Sequence, residues 1–194
     1  MATISSLGVY CGSKEGNDRA FAEAAATLGA SLAQRGIRLV YGGGRVGIMG
    51  VIADAVLAGG GKVTGIIPEH LEAIEVGHRM IDDFQVVPNM HERKRRMSEL
   101  SDGFVILPGG LGTLDEMFET VTWKQLGLHS KPIVIADIAG YWRPLRATID
   151  AVVEHGFAHG SASRLFTFVD TVEAILPAIE AAAVPPTETK SELM

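Results

Sequence analysis

The sequence has only one cysteine, Cys11, among its 194 residues. A single cysteine excludes an internal disulfide and a cysteine-rich metal site, and it is typical of a protein in a reducing compartment. The chain also lacks a basic-then-apolar leader, and no apolar run approaches the roughly 18 residues that a membrane-spanning helix needs. We therefore expect a cytoplasmic protein that does not contact a membrane, with Cys11 buried in a strand.

Positive charge is scarce as well. Lys and Arg number 17 against 23 Asp and Glu, which gives a formal net charge of −6. Such a surface does not attract nucleic acid or anionic lipid over long distances, so any phosphate group must be bound locally. The six histidines show no metal-site spacing and no HExxH pair, and the sequence has no GxSxG elbow. Metal dependence, acyl transfer and nucleic-acid binding are therefore disfavoured.

The alternation of short apolar runs with longer segments of helical period predicts the fold. Hydrophobic residues make up 47% of the chain, and a chain of this length suffices for the core of one domain. The pattern predicts an α/β fold with a Rossmann-like, doubly wound, mostly parallel sheet of about seven strands. A single domain is expected over residues 1–183, followed by a frayed polar tail over residues 184–194. Strands are expected near residues 6–11, 37–41, 62–67, 84–87, 103–107, 132–136 and 165–169, and helices near residues 18–34, 48–58, 90–100, 113–126, 141–155 and 172–182.

Two of the predicted strands are followed by glycine-rich loops, and in open α/β sheets ligands bind beyond the carboxyl ends of the strands. YGGGRVGIMG follows the second strand and contains Gly43 and Gly44, whereas PGGLGTLDE follows the fifth and contains Gly109, Gly110 and Gly112. Glycines let backbone N–H groups approach an anion closely, and a helix N-terminus adds unpaired donors and partial positive charge. Each loop is a candidate phosphate cradle, although either one alone could equally be a tight strand-to-helix turn.

The first glycine-rich loop also admits a second interpretation. Gly42, Gly44 and Gly47 fit the dinucleotide-binding pattern, and Glu69 lies 22 residues after Gly47, near the end of the next strand. Against a dinucleotide site, the pattern follows the second strand instead of the first, and it leaves PGGLGTLDE unexplained. The spacing alone leaves this interpretation open.

Charged residues beside the second loop are candidates for catalysis. Asp115 and Glu116 can simply complement the helix dipole, but Glu116 could also orient a ribose or stabilise positive charge at its anomeric carbon. Upstream, MHERKRRM is a run that usually forms a solvated face, yet four consecutive side chains cannot share one helix face, so two can point toward the cleft. Arg93 and Lys94 begin the run, and a guanidinium can clamp phosphate or ribose oxygens or counter charge on a departing base. Arg93 and Glu116 are expected to line a cleft that solvent reaches.

The segment MHERK followed by PGGLGTLDE strongly resembles the LOG (Lonely Guy) family of cytokinin riboside 5′-monophosphate phosphoribohydrolases. The resemblance extends from VYCGS through YGGGRVGIMG and GIIPEHL to TWKQLGLHSKP, about three quarters of the chain. It implies a Rossmann-like fold, no cofactor, and hydrolysis of plain or N6-modified adenosine 5′-monophosphate to free base and ribose 5-phosphate. It also implies a homodimer, which we expect to bury the helix around residues 90–100 or the one around residues 113–126.

The resemblance also implies roles for particular residues. Arg93 and Glu116 would form the catalytic pair, with Lys94 as a neighbouring substrate ligand. Glu75 and Thr122 match further substrate-contacting positions. Together with the glycines of the first loop, the predicted substrate-binding backbone comprises Gly43, Gly44, Gly109, Gly110, Leu111, Gly112 and Thr113.

Other functions compete with this one. A non-catalytic nucleotide or cofactor carrier could use the same cradles, but it would not require the pair of Arg93 and Glu116. The older label "lysine decarboxylase-like" fits poorly, because pyridoxal chemistry needs a Schiff-base lysine and an acidic partner for the pyridine nitrogen, and nothing singles out such a lysine. Binding of single-stranded nucleic acid is disfavoured by the net charge and by the absence of a basic, aromatic groove.

Overall fold

Seven parallel strands form one sheet in the computed structural model, which describes residues 4–72, 74 and 76–183. The spatial order is β4-β3-β2-β1-β5-β6-β7, and every neighbouring pair is parallel. This confirms the predicted doubly wound α/β fold. The strands are β1 (Ser6–Tyr10), β2 (Arg38–Tyr41), β3 (Val63–Pro68), β4 (Asp83–Val87), β5 (Gly103–Ile106), β6 (Ile133–Ala136) and β7 (Thr167–Val169).

Helices connect the strands and cover both faces of the sheet. Polar side chains define the start of two of them: Asp18 accepts a hydrogen bond from the N–H of Ala20 at 2.9 Å, and Asn89 accepts one from Glu92 at 2.9 Å. The helices are α1 (Arg19–Gln34), α2 (Gly47–Ala58), α3 (Glu69–Glu72), α4 (Met90–Leu100), α5 (Leu111–Gln125), α6 (Arg143–Glu154) and α7 (Ile175–Ala182), and short 3₁₀ turns span Ile138–Gly140 and Gly160–Arg164.

The sheet has a separate apolar core on each face. Because side chains alternate along a strand, Leu7 and Val9 of β1 enter one core and Tyr10 enters the other. Helices α1, α2 and α7 pack on the Leu7 side, and α4, α5 and α6 pack on the Tyr10 side. Within the described part of the chain, no helix is both long enough and apolar enough to cross a membrane.

The boundaries differ from the sequence predictions in a few places. Helix α5 begins at Leu111, two residues before the predicted start, and α6 begins at Arg143 because the preceding residues form a 3₁₀ turn. Strand β7 is shorter than predicted, because the second 3₁₀ turn extends to Arg164 and Leu165 caps it, and the four-residue helix α3 was not predicted. The predicted tail, residues 184–194, lies outside the described residues.

The strand order creates a crevice beside the central strand. The chain leaves β1 toward β2, β3 and β4 on one side, and later adds β5, β6 and β7 on the other. The loops that follow β1 and β5 therefore diverge at the carboxyl edge of the sheet, which is where open α/β folds bind ligands. PGGLGTLDE follows β5 and thus stands at this switch point.

Candidate active site

A cleft of about 720 Å³ occupies the switch point. One wall is the loop after β1, which includes Gly12, Ser13 and Lys14, and the other is the start of PGGLGTLDE with Gly109 and Gly110. The remaining lining residues are Glu15, Gly16, Asn17, Phe21, Ile48, Pro108 and Tyr141. The cleft therefore lies between the loop after β1 and the loop after β5.

The loop after β5 presents an open edge to this cleft. Its base is fixed, because the N–H of Gly12 donates to the carbonyl of Pro108 at 3.1 Å and a Cβ on Gly109 would overlap the Thr113 hydroxyl. At Gly110 and Gly112, by contrast, a Cβ would meet no atom within 4 Å. Helix α5 begins immediately afterwards, and the N–H groups of a first helical turn have no acceptor within their own helix. The arrangement suits an anion.

The loop after β2 is closed by the protein's own backbone. Gly43 and Gly44 are buried, and residues 76–78 lie across them. The N–H of His78 donates to the carbonyl of Gly43 at 2.8 Å, and the N–H of Arg45 donates to the carbonyl of Val76 at 3.0 Å. Gly43 has a φ of +77°, a conformation that favours glycine. These glycines therefore face protein, whereas Gly110 and Gly112 after β5 face open space.

Arg93 enters the site from the first turns of α4. Its side chain is buried, and Nη2 donates to the carbonyl of Gly42 at 2.9 Å. A Cβ at Gly42 would overlap Nη2, so the guanidinium occupies the space that this glycine leaves open. The burial corrects the expectation that Arg93 lines a solvent-reached cleft: only 4% of the residue is exposed.

Glu116 projects from the second turn of α5 and is also nearly buried, with 8% exposed. Tyr10 lies near Glu116. The Tyr10 hydroxyl is 3.2 Å from the hydroxyl of Thr120, which lies on α5 as Glu116 does. Burial and, after it, the negative charge of Glu116 raise the pKa of Tyr10 well above its ordinary value, while the positive charge of Arg93 acts in the opposite direction. Glu116 and Arg93 thus act on one buried hydroxyl from α5 and α4.

Lys94 joins the same two helices. Its Nζ lies 3.1 Å from a carboxylate oxygen of Asp115 and 3.1 Å from one of Glu119. Burial alone would lower the pKa of Lys94, but its hydrogen bonds with Asp115 and Glu119 outweigh that effect, and the net shift is upward. Lys94 is therefore held as a cation that fixes α4 against α5, beside Arg93 and Glu116.

The remaining predicted residues fall in different surroundings. Thr113 is buried in the first turn of α5, Leu111 is 85% exposed, and Thr122 lies on the exposed part of α5. Glu75 lies outside the described residues. Among the residues that the structure describes, no group of three or more His, Cys, Asp or Glu side chains is arranged to hold a metal ion.

Tyr10, Tyr141 and the loop after β1 were not predicted as parts of the site. Tyr10 ends the central strand, and its alternation with Val9 directs it toward α4 and α5. Tyr141 follows β6, the strand next to β5. Their positions could have indicated a role in the site, because each residue ends or follows a strand next to the switch point. That inference requires the strand order, which the sequence does not give.

Comparison with known proteins identifies the relatives of this chain. Residues 49–179 match the family described as "possible lysine decarboxylase". An Oryza sativa subsp. japonica protein named "probable cytokinin riboside 5′-monophosphate phosphoribohydrolase" is 43% identical over 89% of this chain and 77% of its own length. An Arabidopsis thaliana cytokinin riboside 5′-monophosphate phosphoribohydrolase is 41% identical over 89% of this chain and 81% of its own.

Solved structures show a similar fold at much lower identity. A molybdenum cofactor carrier protein from Chlamydomonas reinhardtii has a TM-score of 0.71 and 20% identity, covering 94% of this chain and 100% of that chain. A molybdenum cofactor binding protein from Rippkaea orientalis has a TM-score of 0.68 and 18% identity, covering 93% and 98% respectively. At these identities the likeness shows the fold alone. The sequence matches go further, and they show that the chain belongs to the LOG family, whose curated plant members are named cytokinin riboside 5′-monophosphate phosphoribohydrolases.

Proposed function

We propose that the protein hydrolyses the N-glycosidic bond of adenosine 5′-monophosphate-type nucleotides, AMP or a cytokinin riboside 5′-monophosphate, to free base and ribose 5-phosphate. The observation that carries the proposal is that α5, which begins at the open glycine-rich loop of the switch point, also carries the nearly buried Glu116, and that the nearly buried Arg93 stands next to Lys94, which contacts Asp115 on the same helix. The names of the curated relatives support the same reaction.

The proposed mechanism uses the substrate phosphate as an anchor. Phosphate binds at residues 109–113, where the first turn of α5 offers N–H donors, and this fixes the ribose relative to the rest of the site. As the C–N bond breaks, its electron pair leaves with the base and the ribose gains positive charge. Glu116 stabilises that charge while water adds to the anomeric carbon. The proton that the water loses is taken up by the departing base.

Arg93 has the complementary role in this scheme. Its guanidinium is positively charged, and the hydrogen bond from Nη2 to the Gly42 carbonyl fixes its direction in the site. We assign it to the departing base or the ribose hydroxyls. Lys94 supports both residues by joining α4 to α5 through Asp115 and Glu119.

A chromatographic assay tests the reaction. Purified protein is incubated with AMP, with isopentenyl-AMP and, as a control that lacks the phosphate anchor, with adenosine. We expect release of base and ribose 5-phosphate from the nucleotides and far slower release of base from adenosine. A protein that binds nucleotides but releases base from none of them would be a carrier, a function that does not need Arg93 and Glu116.

We also propose that the protein forms a homodimer through α5. Leu111, Phe118 and Leu126 are 85%, 45% and 60% exposed, and their spacing places them on one side of the helix. Leu128, 71% exposed, follows directly. A second copy of this chain fits the stripe, because a self-complementary apolar patch suits a two-fold interface and the LOG resemblance implies a homodimer. Light scattering should give twice the monomer mass, and Phe118→Glu should halve it; a wild-type monomer at micromolar concentration would contradict the proposal.

A further inference from the structure

The turn after β6 brings a tyrosine hydroxyl against the candidate phosphate cradle. The hydroxyl of Tyr141 donates to the carbonyl oxygen of Gly109 at 2.6 Å. Tyr141 also lines the cleft between the loops that follow β1 and β5. We propose that Tyr141 is a positioning residue that orients the Gly109–Gly110 peptide so that the cradle can bind a phosphate group. The inference rests on the proposed function, in which this loop holds the phosphate of the substrate.

The backbone that carries Tyr141 is held in an unusual conformation. Ala139 has a φ of 54° and Gly140 has a φ of 74°, so two consecutive residues adopt the left-handed conformation. For alanine this conformation is unfavourable, and it persists only where surrounding contacts impose it. One such contact is given by the buried Asp137, whose Oδ1 accepts a hydrogen bond from the N–H of Trp142 at 2.6 Å. The turn therefore has a defined shape that places Tyr141 at the cleft.

The ring of Tyr141 is fixed by two aromatic neighbours. It packs edge-to-face on Phe21 of α1, with ring centroids 5.2 Å apart, and on Trp142 at 4.7 Å. These contacts come from different elements, since Phe21 lies on α1 and Trp142 precedes α6. Edge-to-face pairs restrict ring orientation, so the direction of the hydroxyl is set before any ligand binds.

The hydrogen bond determines how the cradle faces a ligand. In a trans peptide the carbonyl of Gly109 and the N–H of Gly110 point in opposite directions, and the described residues contain no cis peptide bond. With the Gly109 carbonyl turned to Tyr141, its oxygen is satisfied, and the Gly110 N–H is directed away from Tyr141. Without the hydroxyl, this peptide could rotate and present its carbonyl oxygen, which repels an anion. A side chain at position 109 could not take over this restraint, because a Cβ there would overlap Thr113.

The test compares Tyr141→Phe with wild type in calorimetric titrations with inorganic phosphate, ribose 5-phosphate and adenosine. The variant keeps the ring and removes only the hydroxyl. We expect the two phosphate-bearing ligands to bind about 3- to 10-fold more weakly, as the loss of one hydrogen bond predicts, and adenosine to bind as it does to wild type. KM for AMP should rise by a similar factor, with a smaller change in kcat. Thr148→Val is the matched control, since Thr148 bonds only locally to Pro144 on α6.

Each outcome distinguishes this inference from the proposed function. If adenosine and phosphate both bind equally more weakly to the variant, Tyr141 contacts the base and does not position the cradle. If phosphate binding is unchanged, Tyr141 has no positioning role. Either result overturns the inference. If wild type hydrolyses nucleotides while Tyr141→Phe binds phosphate normally, only the inference fails. If wild type binds phosphate, Tyr141→Phe weakens it, and no nucleotide is hydrolysed, only the proposed reaction fails. A wild-type protein that does not bind phosphate overturns the inference as well.

Discussion

The two glycine-rich loops flank the central strand and look alike in sequence, yet the structure uses their glycines differently. After β2, Gly42 makes room for the Arg93 guanidinium and Gly43 accepts a hydrogen bond from the backbone of His78. After β5, Gly110 and Gly112 border open space at a helix start. A glycine permits close approach by any group, and only the fold decides whether that group belongs to the protein or to a ligand.

The two loops therefore have different roles in the proposed site. The loop after β2 contacts a charged side chain, and the loop after β5, which we propose to bind the substrate anion, leads into the helix that carries Glu116. Substitutions in the two loops should therefore fail in different ways. A substitution in the loop after β2 should reduce turnover, and a substitution in the loop after β5 should reduce phosphate affinity.

The largest effect is expected at Glu116. Glu116→Gln keeps the size of the side chain but removes the charge that stabilises the transition state, so kcat should fall on the order of 10²–10³. Nucleotide affinity should change little. Turnover of AMP and titration of a bound nucleotide measure the two quantities, and Glu99→Gln, an exposed acid paired with Arg95 and Arg96 on α4, serves as control. Wild-type turnover in Glu116→Gln would refute the assigned role.

Gly42→Ala should show the next largest effect. Gly42 does not have a left-handed φ, so the main penalty is the overlap of the new Cβ with Nη2 of Arg93, with a smaller one from its close approach to the sulfur of Met49. The guanidinium must move, and a displacement of about 1 Å in a catalytic group can cost roughly 10²-fold in rate. We expect kcat to fall by about that factor while inorganic phosphate binds normally. Weakened phosphate binding in Gly42→Ala would instead make the first loop a second cradle.

Gly112→Ala should give the opposite result. A Cβ there meets nothing in the protein, and Cβ atoms in a helix lean toward its N-terminus, where the phosphate would lie. Phosphate affinity should fall roughly 10-fold, because the methyl group would hold the anion away from the N–H donors and so weaken the equivalent of one charge-assisted hydrogen bond. The melting temperature should hold or rise slightly, because alanine limits the unfolded chain more than glycine does. Calorimetry and thermal unfolding test the pair of expectations, and unchanged phosphate affinity would contradict the cradle.

Sequence alone could predict the layered fold and the open loop, but not the closed one. Apolar periodicity locates strands and helices because it reflects burial, and PGGLGTLDE stands beside β5 wherever the sheet places β5. The cover over Gly43 comes from residues 76–78, more than thirty positions away, and it forms through backbone hydrogen bonds that leave no pattern in the side chains. Tyr141 likewise reaches Gly109 only because β6 lies next to β5.

The burial of the catalytic candidates also escaped prediction. Arg93 lies in the most charged stretch of the chain, where a solvated face is the usual outcome, whereas in the fold it is buried and its Nη2 contacts the carbonyl of Gly42. Because this contact is buried, Arg93→Ala should lower the stability of the protein as well as its turnover rate. An exposed Arg93, as the sequence predicts it, would lose no stability in the same substitution.

The smallest effect concerns the cover of the first loop. His78 is buried, and its Nε2 lies 2.8 Å from Oδ1 of Asp54, which is exposed on α2. Asp54→Ala removes this contact, while the backbone hydrogen bond from His78 to Gly43 can persist. We expect about 0.5–1.5 kcal/mol of lost stability and a two- to threefold fall in turnover, because residues 76–78 hold the loop whose Gly42 carbonyl fixes Arg93.

The measurement must separate stability from positioning. Denaturant unfolding gives the first, and turnover per folded molecule, well below the melting temperature, gives the second. Asp150→Ala, at an exposed acid on α6, is the matched control. If Asp54→Ala lowers stability while turnover and phosphate affinity stay at wild-type values, the cover acts on the fold alone, and Arg93 is positioned by Gly42 and α4 without help from His78. If phosphate affinity falls instead of turnover, the closed loop takes part in anion binding, and the division between the two loops does not hold.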